Sequence, residues 1–359
     1  MRADVYGLVL GTLIPLMPVV ACSGDSAGSL NGPSPPQGPE ACVPLTFLGS
    51  LSDSHSVAWA INESGWIAGY SSLPDTGPRA TVWANGVLID LGTLGGPESQ
   101  ATDVNGAGEV VGRSETSDGR THAFRWRDGV MSDLGNLGGG FSSAYGINDA
   151  GQIVGVSTTT SGRSRAFLWQ NGVMTDLGTL GGSSSEARAI NERGQIVGTS
   201  DLPGDSLVHG FLWQNGAMTD LGTLFPNGQY ESRAFGINEA GQVVGRSQHP
   251  GTEERAFLWE NGIMRSLFPV PEVAWSSASA INDAGDIVGF VTDLSSRAFL
   301  WSNGALSDLG RFPAVRTIGS LAYDINSAGL AVGFSNHDAA GGLAQAVMWD
   351  TRCRSNGDG

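Results

Sequence analysis

Seven side chains that recur at one place in an internal repeat have the types needed to bind an anion or move a proton: Arg79, His122, Arg165, His209, Arg255, Arg297 and Gln345. Six are cations or titrate near neutrality, and an Asp follows most of them at a spacing that hairpin pairing makes diagonal, as for Arg165 with Asp176 and His209 with Asp220. A polar rim of this kind would hold an anionic ligand. Because it keeps the symmetry of the repeat, a structural pair inside each unit is the better reading. Three residues do break the symmetry: Asp103, Arg188 and Asp324 stand where other copies carry small or aromatic residues. Two suitably separated carboxylates can hydrolyse a glycosidic bond, so Asp103 and Asp324 are the acids of an alternative glycoside hydrolase or polysaccharide lyase reading. They would serve equally as acceptors for neighbouring strands, and no catalytic residue is assigned.

Composition removes other chemistries. All nineteen basic residues are Arg, which excludes Schiff-base lysines, Ser-Lys dyads and a phosphate-loop lysine. The net charge of −16 argues against nucleic acid as a partner, since phosphate neutralisation drives that binding. The five His residues lack metal-ligand spacing and no Asp-rich calcium loop is present, so neither a metal nor a cofactor is expected.

The elements that must position these residues are written seven times. Asn anchors fall at Asn62, Asn105, Asn148, Asn191, Asn238, Asn282 and Asn326, spaced by 43, 43, 43, 47, 44 and 44 residues. A Ser lies six before each anchor, an Ala four before, and Gly three and seven after. A fixed period of this size signals a repeat architecture. Within the third copy, short apolar segments bounded by turn residues predict strand a at Ala144 to Asn148, strand b at Ile153 to Ser157, strand c at Ala166 to Trp169 and strand d at Val173 to Leu177. Asn171-Gly172 between c and d is a strong hairpin signal. Four strands in about 43 residues make one propeller blade.

The ends predict closure rather than an open stack. The last copy stops after strand c at Trp349-Asp350, and its missing strand d precedes the first copy as Val43 to Gly49. A solenoid needs capped ends, whereas complementary half-ends latch a ring. The expected fold is therefore an all-β, seven-bladed β-propeller over residues 42–353, its N-terminal strand completing the last blade. Aligned on the repeat, Cys42 and Cys353 meet where the seventh c–d turn would be, which predicts a disulfide worth roughly 5 kcal/mol in the chain-entropy model.

Residues 1–21 read as a signal peptide, because Val5 to Val20 is an apolar run too short and Pro-interrupted to span a membrane. Its end, Val19-Val20-Ala21-Cys22, resembles the lipobox of bacterial lipoproteins. That resemblance implies lipidation of Cys22, and Ser23 after it is similar to the outer-membrane sorting pattern. Residues 22–41 read as a Pro, Gly and Ser-rich tether and 354–359 as a disordered tail. The expected location is extracytoplasmic, as an outer-membrane lipoprotein or a secreted monomer that meets the membrane through a lipid anchor alone.

Antiparallel order puts the short a–b and c–d turns on one face of the disc and the variable b–c loops and d–a crossovers on the other. The last crossovers lengthen and gain aromatics: Phe225 and Tyr230, then Phe268 and Trp275, then Phe312. Function sits in variable loops on a rigid scaffold, so these five residues are the candidate ligand-binding patch, suited to stacking on sugars or anchoring a protein. They would otherwise seal gaps between blades.

The recurrent Ile-Asn, Ile-Val-Gly and Arg-Ala-Phe-Leu-Trp pattern, seen once as His122-Ala123-Phe124, resembles the HAF repeat over about Leu45 to Asp350. The resemblance implies an extracellular bacterial repeat protein; the first copy departs from it at Thr81-Val82-Trp83 and the last at Val347-Met348-Trp349. The expected function is a non-catalytic scaffold that recognises a glycan or protein at the cell envelope.

Overall fold

The computed structural model describes residues 45–225, 230–248, 253–268, 275–292, 295–310, 319–337 and 343–352. Cys22, Cys42, Cys353 and Phe312 lie outside them, as do the segments that the sequence reads as leader, tether and tail. Among the described residues there is no helix, and the strands form seven four-stranded antiparallel sheets. The protein is a seven-bladed β-propeller.

Blade 3 illustrates the unit. Its strand a runs Gly138–Ile147, b Ile153–Thr159, c Ser164–Gln170 and d Val173–Asp176. The Asn171-Gly172 turn has φ of 52° and 82°, the left-handed pair that a two-residue hairpin demands and that Asn-Gly adopts at little cost. On strand b, a Cβ at Gly155 would lie 2.0 Å from the Ser143 carbonyl oxygen of strand a. The Val-Gly of the repeat is thus a requirement for close backbone approach.

The hydrophobic cores lie between blades. Val111 and Ala123 of blade 2 pack with Ala144, Ile147, Ile153 and Phe167 of blade 3. Equivalent clusters occupy the other interfaces, and Ala58, Ile61, Ile67 and Trp83 of blade 1 join Val332 and Ala346 of blade 7. Small Ala residues on strands a and c let the sheets approach, and Phe124, Phe167, Phe211 and Phe257 fill the space at 0% exposure. Burial of one such ring stabilises by about 2–3 kcal/mol.

The ring closes with the displaced strand. Leu45–Phe47 pairs antiparallel with Leu343–Asp350 of blade 7, Leu45 opposite Trp349 and Phe47 opposite Val347. Leu48 N–H then donates to the Ala346 carbonyl at 3.0 Å, continuing the ladder through the Leu-Gly that strand d of other blades also carries.

Candidate functional site in the axial channel

Most polar letters of the repeat are joints between blades. Each anchor Asn uses its side-chain Oδ1 to hold its own a–b turn, as Asn62 does by accepting from Trp66 N–H at 2.8 Å. Its Nδ2 donates to the backbone carbonyl of the next anchor, from Asn62 to Asn105 at 2.8 Å and onward to Asn326, whose Nδ2 returns to Asn62 at 3.1 Å. The repeat Ser works on the opposite face: Ser142 Oγ accepts from Ala123 N–H of the preceding blade at 2.8 Å and donates to the Gly135 carbonyl at 2.5 Å.

The strand-c ring is likewise structural. Arg165 Nε lies 3.4 Å from Asp176 Oδ2, Arg79 reaches Asp90 at 3.4 Å, and His122 Nδ1 lies 2.8 Å from Asp133. His209 sits at 6% exposure with Nδ1 2.9 Å from Asp220 and Nε2 3.1 Å from the Tyr230 carbonyl. Burial alone would lower the pKa of this imidazole, but the Asp220 hydrogen bond and charge, with the Tyr230 carbonyl, overcome it and the net direction is up. In blade 5 Ser266 replaces the Asp, and Arg255 turns to Glu253 at 3.2 Å. Gln345 of blade 7 donates to the Ser54 carbonyl at 2.8 Å.

Variation among the copies concentrates around the axis. Every strand a carries a β-bulge at the residue three before its Asn, for example between Ala58 and Ala60 and between Ala234 and Gly236. A bulged residue leaves the ladder and its side chain is re-aimed. Here the bulge residues are Trp59, Thr102, Tyr145, Arg188, Phe235, Ser279 and Tyr323, and all seven line one cavity of about 420 Å³. Gln100, Ser143 and Ser277 of strand a and Arg113, Arg246 and Phe290 of strand b complete the wall. These lie nearer the start of strand a, so the cavity occupies the crossover side of the channel.

Its wall alternates ring faces and guanidinium groups. Trp59 and Tyr323 stack at 4.3 Å between centroids, and Tyr323 meets Phe334 at 6.0 Å. Arg188 lies 4.5 Å over the Tyr145 ring and is held by Glu186. Arg246 is flanked by Phe235 at 5.5 Å and Trp275 at 5.2 Å, and pairs with Glu254 at 3.0 Å. Burial depresses the Arg246 pKa first of all; Glu254 opposes this, while Arg233 and Arg188 add to it.

Asp103 and Asp324 each follow directly after the bulge residue of their strand and are half-buried. Each bridges to the next blade: Asp103 Oδ2 accepts from Ile147 N–H at 2.8 Å and Asp324 Oδ2 from Ile61 N–H at 2.8 Å. The other oxygen of each accepts the following residue's N–H, from Val104 at 2.8 Å and Ile325 at 2.9 Å. Enclosure by protein pushes the Asp103 pKa up to about 7, with the Asp324 charge adding to it, and that of Asp324 up to about 6. No group of three His, Cys, Asp or Glu able to hold a metal occurs among the described residues.

The sequence-derived patch divides. Trp275 packs against two residues of the channel wall, 5.4 Å from Phe290 and 5.2 Å from Arg246. Phe225 and Tyr230 pack edge to face at 5.8 Å, both partly buried. Phe268 does not present a free ring: it is 5% exposed and meets Phe299 edge-on at 5.3 Å in the core between blades 5 and 6. The Gly of Asp-Leu-Gly is Phe268 in this blade, and its ring fills the interface. Sequence reasoning missed Trp59, Tyr145, Phe235 and Tyr323, although one signal was present: the bulge position varies from copy to copy beside a Ser, an Ala and an Asn that do not change.

No protein-family model matches the chain, and no curated protein is similar to it. Solved structures share its fold. The β-propeller domain of the Trilobed protease from Pyrococcus furiosus has a TM-score of 0.55 at 10% identity, over 83% of this chain and 96% of that one. An oligogalacturonate lyase from Vibrio parahaemolyticus has a TM-score of 0.54 at 9% identity, over 86% and 94%. A Mycobacterium tuberculosis puromycin-hydrolyzing peptidase has a TM-score of 0.54 at 14% identity, over 85% of this chain and 51% of that one, so the chain spans about half its length. At these identities the likeness establishes the propeller alone.

Proposed function

We propose that this propeller is a non-catalytic recognition module that binds a glycan in its axial channel, from the crossover face. One observation carries the reading: the seven bulge residues, which the repeat leaves free to vary, converge on a single cavity and include Trp59, Tyr145, Phe235 and Tyr323. Aromatic faces stack on sugar rings while polar side chains between them fix orientation. A concave site of this size suits a sugar better than a flat protein epitope. The lipobox-like Ala21-Cys22 supports placing the module at the cell envelope, anchored or secreted.

A glycan-array screen of the purified protein, followed by calorimetry with Tyr145→Ala and Phe235→Ala, tests the reading. The expected result is at least tenfold weaker binding in both variants with the melting temperature little changed. Binding that survives both substitutions and is lost in Tyr230→Ala returns the site to the crossover loops.

A glycoside hydrolase or polysaccharide lyase is the second reading, favoured by the raised pKa values of the half-buried Asp103 and Asp324. Each of their four oxygens is already engaged by a backbone N–H, which weighs toward a structural role. Turnover of the bound glycan, lost in Asp103→Asn, would establish this reading instead.

A further inference from the structure

We propose that the axial site selects an acidic sugar, one bearing a carboxylate or a sulfate, and that Arg113, Arg188 and Arg246 receive the charged group. The inference rests on the channel reading above and adds the class of glycan.

The chain carries nineteen Arg against thirty-five acids, yet three of the residues that line this one cavity are Arg. Their surroundings leave them able to take a further acceptor. Arg113 is exposed and bonds to the neutral amide of Gln100 at 3.0 Å, with no carboxylate partner among the described residues. Arg188 and Arg246 each have one carboxylate, Glu186 and Glu254, and a guanidinium has five donors in a rigid fork. The ring faces of Tyr145, Phe235 and Trp275 hold both groups in place, so little freedom is lost on capturing an oxyanion. Arg246 feels the like charges of Arg233 and Arg188, offset in part by Glu254 and Glu231, and an anion beside it relieves the repulsion that is left.

The two ends of the channel also differ in charge. Around the a–b turns, Glu63, Asp149, Glu192, Glu239 and Asp283 form a collar, each accepting a backbone N–H from an adjacent blade, as Glu192 does from Asp149 at 2.8 Å and Asp283 from Glu239 at 2.8 Å. An anion is repelled at that mouth and drawn in at the crossover mouth, where the Arg residues and the aromatic rings stand together. A cavity of about 420 Å³ encloses the end of a sugar chain rather than a long stretch of it.

Calorimetry with matched pairs decides the matter: oligogalacturonides against their methyl esters, and sulfated dextran oligosaccharides against the unsulfated parent. Preference for the carboxylate pair, the sulfate pair or both identifies the acidic group. The acidic member of at least one pair is expected to bind tenfold or more tightly at low salt, with the preference shrinking as salt rises. Arg113→Gln, at an exposed position that the fold does not require, is expected to lower the preference about fivefold, and Arg188→Gln to lower it further. Equal affinity within both pairs overturns the acidic inference and leaves the channel reading standing. Binding to neither member of either pair, together with no hit on the neutral array, overturns both.

Discussion

Asn326 donates its side-chain N–H to the carbonyl of Asn62 at 3.1 Å, across 264 residues of sequence. That bond completes a belt of seven asparagines, each holding its own turn with one side-chain atom and the next blade with the other. An amide carries its acceptor and its donors on separate atoms, so one side chain can serve the turn and the next blade at once.

The belt makes Asp a test of the amide. Asn191 accepts from Gln195 N–H at 2.9 Å and donates to the Asn238 carbonyl at 3.1 Å. Asn191→Asp keeps the acceptor but turns an oxygen toward that buried carbonyl, and should destabilise by about 1–3 kcal/mol. Urea denaturation should rank Asp no better than Ala at this position. An Asp variant as stable as the parent would show that the inter-blade bond contributes nothing.

Gly155→Ala should cost about 3 kcal/mol, because the new Cβ falls 2.0 Å from the Ser143 carbonyl oxygen and strands a and b must part to admit it. The exposed Ser161→Ala in the same blade should be neutral. Equal denaturation midpoints for the two variants would contradict the strand pairing described for blade 3.

Acidification should stabilise the protein through Asp103 and Asp324. Their folded pKa values, about 7 and about 6, lie above the ordinary carboxylate range, so the folded state takes up protons that the unfolded chain does not. The contribution is complete below the unfolded carboxylate pKa and is lost as pH rises through 6 and 7. Between pH 8 and pH 5 the pair should add on the order of 4 kcal/mol. Asp103→Asn with Asp324→Asn should flatten that slope relative to the parent, which cancels the background of other carboxylates. An unchanged slope would place both groups in ordinary solvent.

His209 should titrate above the ordinary imidazole value of 6.5. With Asp220 at one ring nitrogen and the Tyr230 carbonyl at the other, both nitrogens face acceptors and the imidazolium is the form that satisfies them. Its stabilisation is complete below the unfolded value and lost as pH rises through the folded one. Histidine NMR titration reads this directly, and a midpoint below 6.5 would contradict the assigned hydrogen bonds.

Closure of the ring was legible because the displaced strand kept its Leu48-Gly49, and the Arg165–Asp176 and His209–Asp220 pairs because an Asn-Gly or equivalent turn fixes hairpin register. The aromatic channel was harder to read. Which residue of strand a faces the axis depends on a bulge that slips the register at Trp59, Tyr145 and their counterparts, and strict alternation does not anticipate it. Trp275 was recognisable as a crossover aromatic, but its place beside Arg246 follows from the approach of blades 5 and 6. Phe268 is a related case: it stands in a lengthened crossover of the sequence, whereas its ring turns inward against Phe299.

The central claim is that ligand occupies the axis rather than the outer crossovers. A photoactivatable form of the glycan captured in the array, cross-linked to the intact protein and mapped by mass spectrometry, locates it without substitution. The account predicts adducts on peptides carrying Trp59, Tyr145, Phe235 and Tyr323, from strands far apart in sequence that meet in one cavity. Adducts confined to the segment around Phe225 and Tyr230 would contradict it.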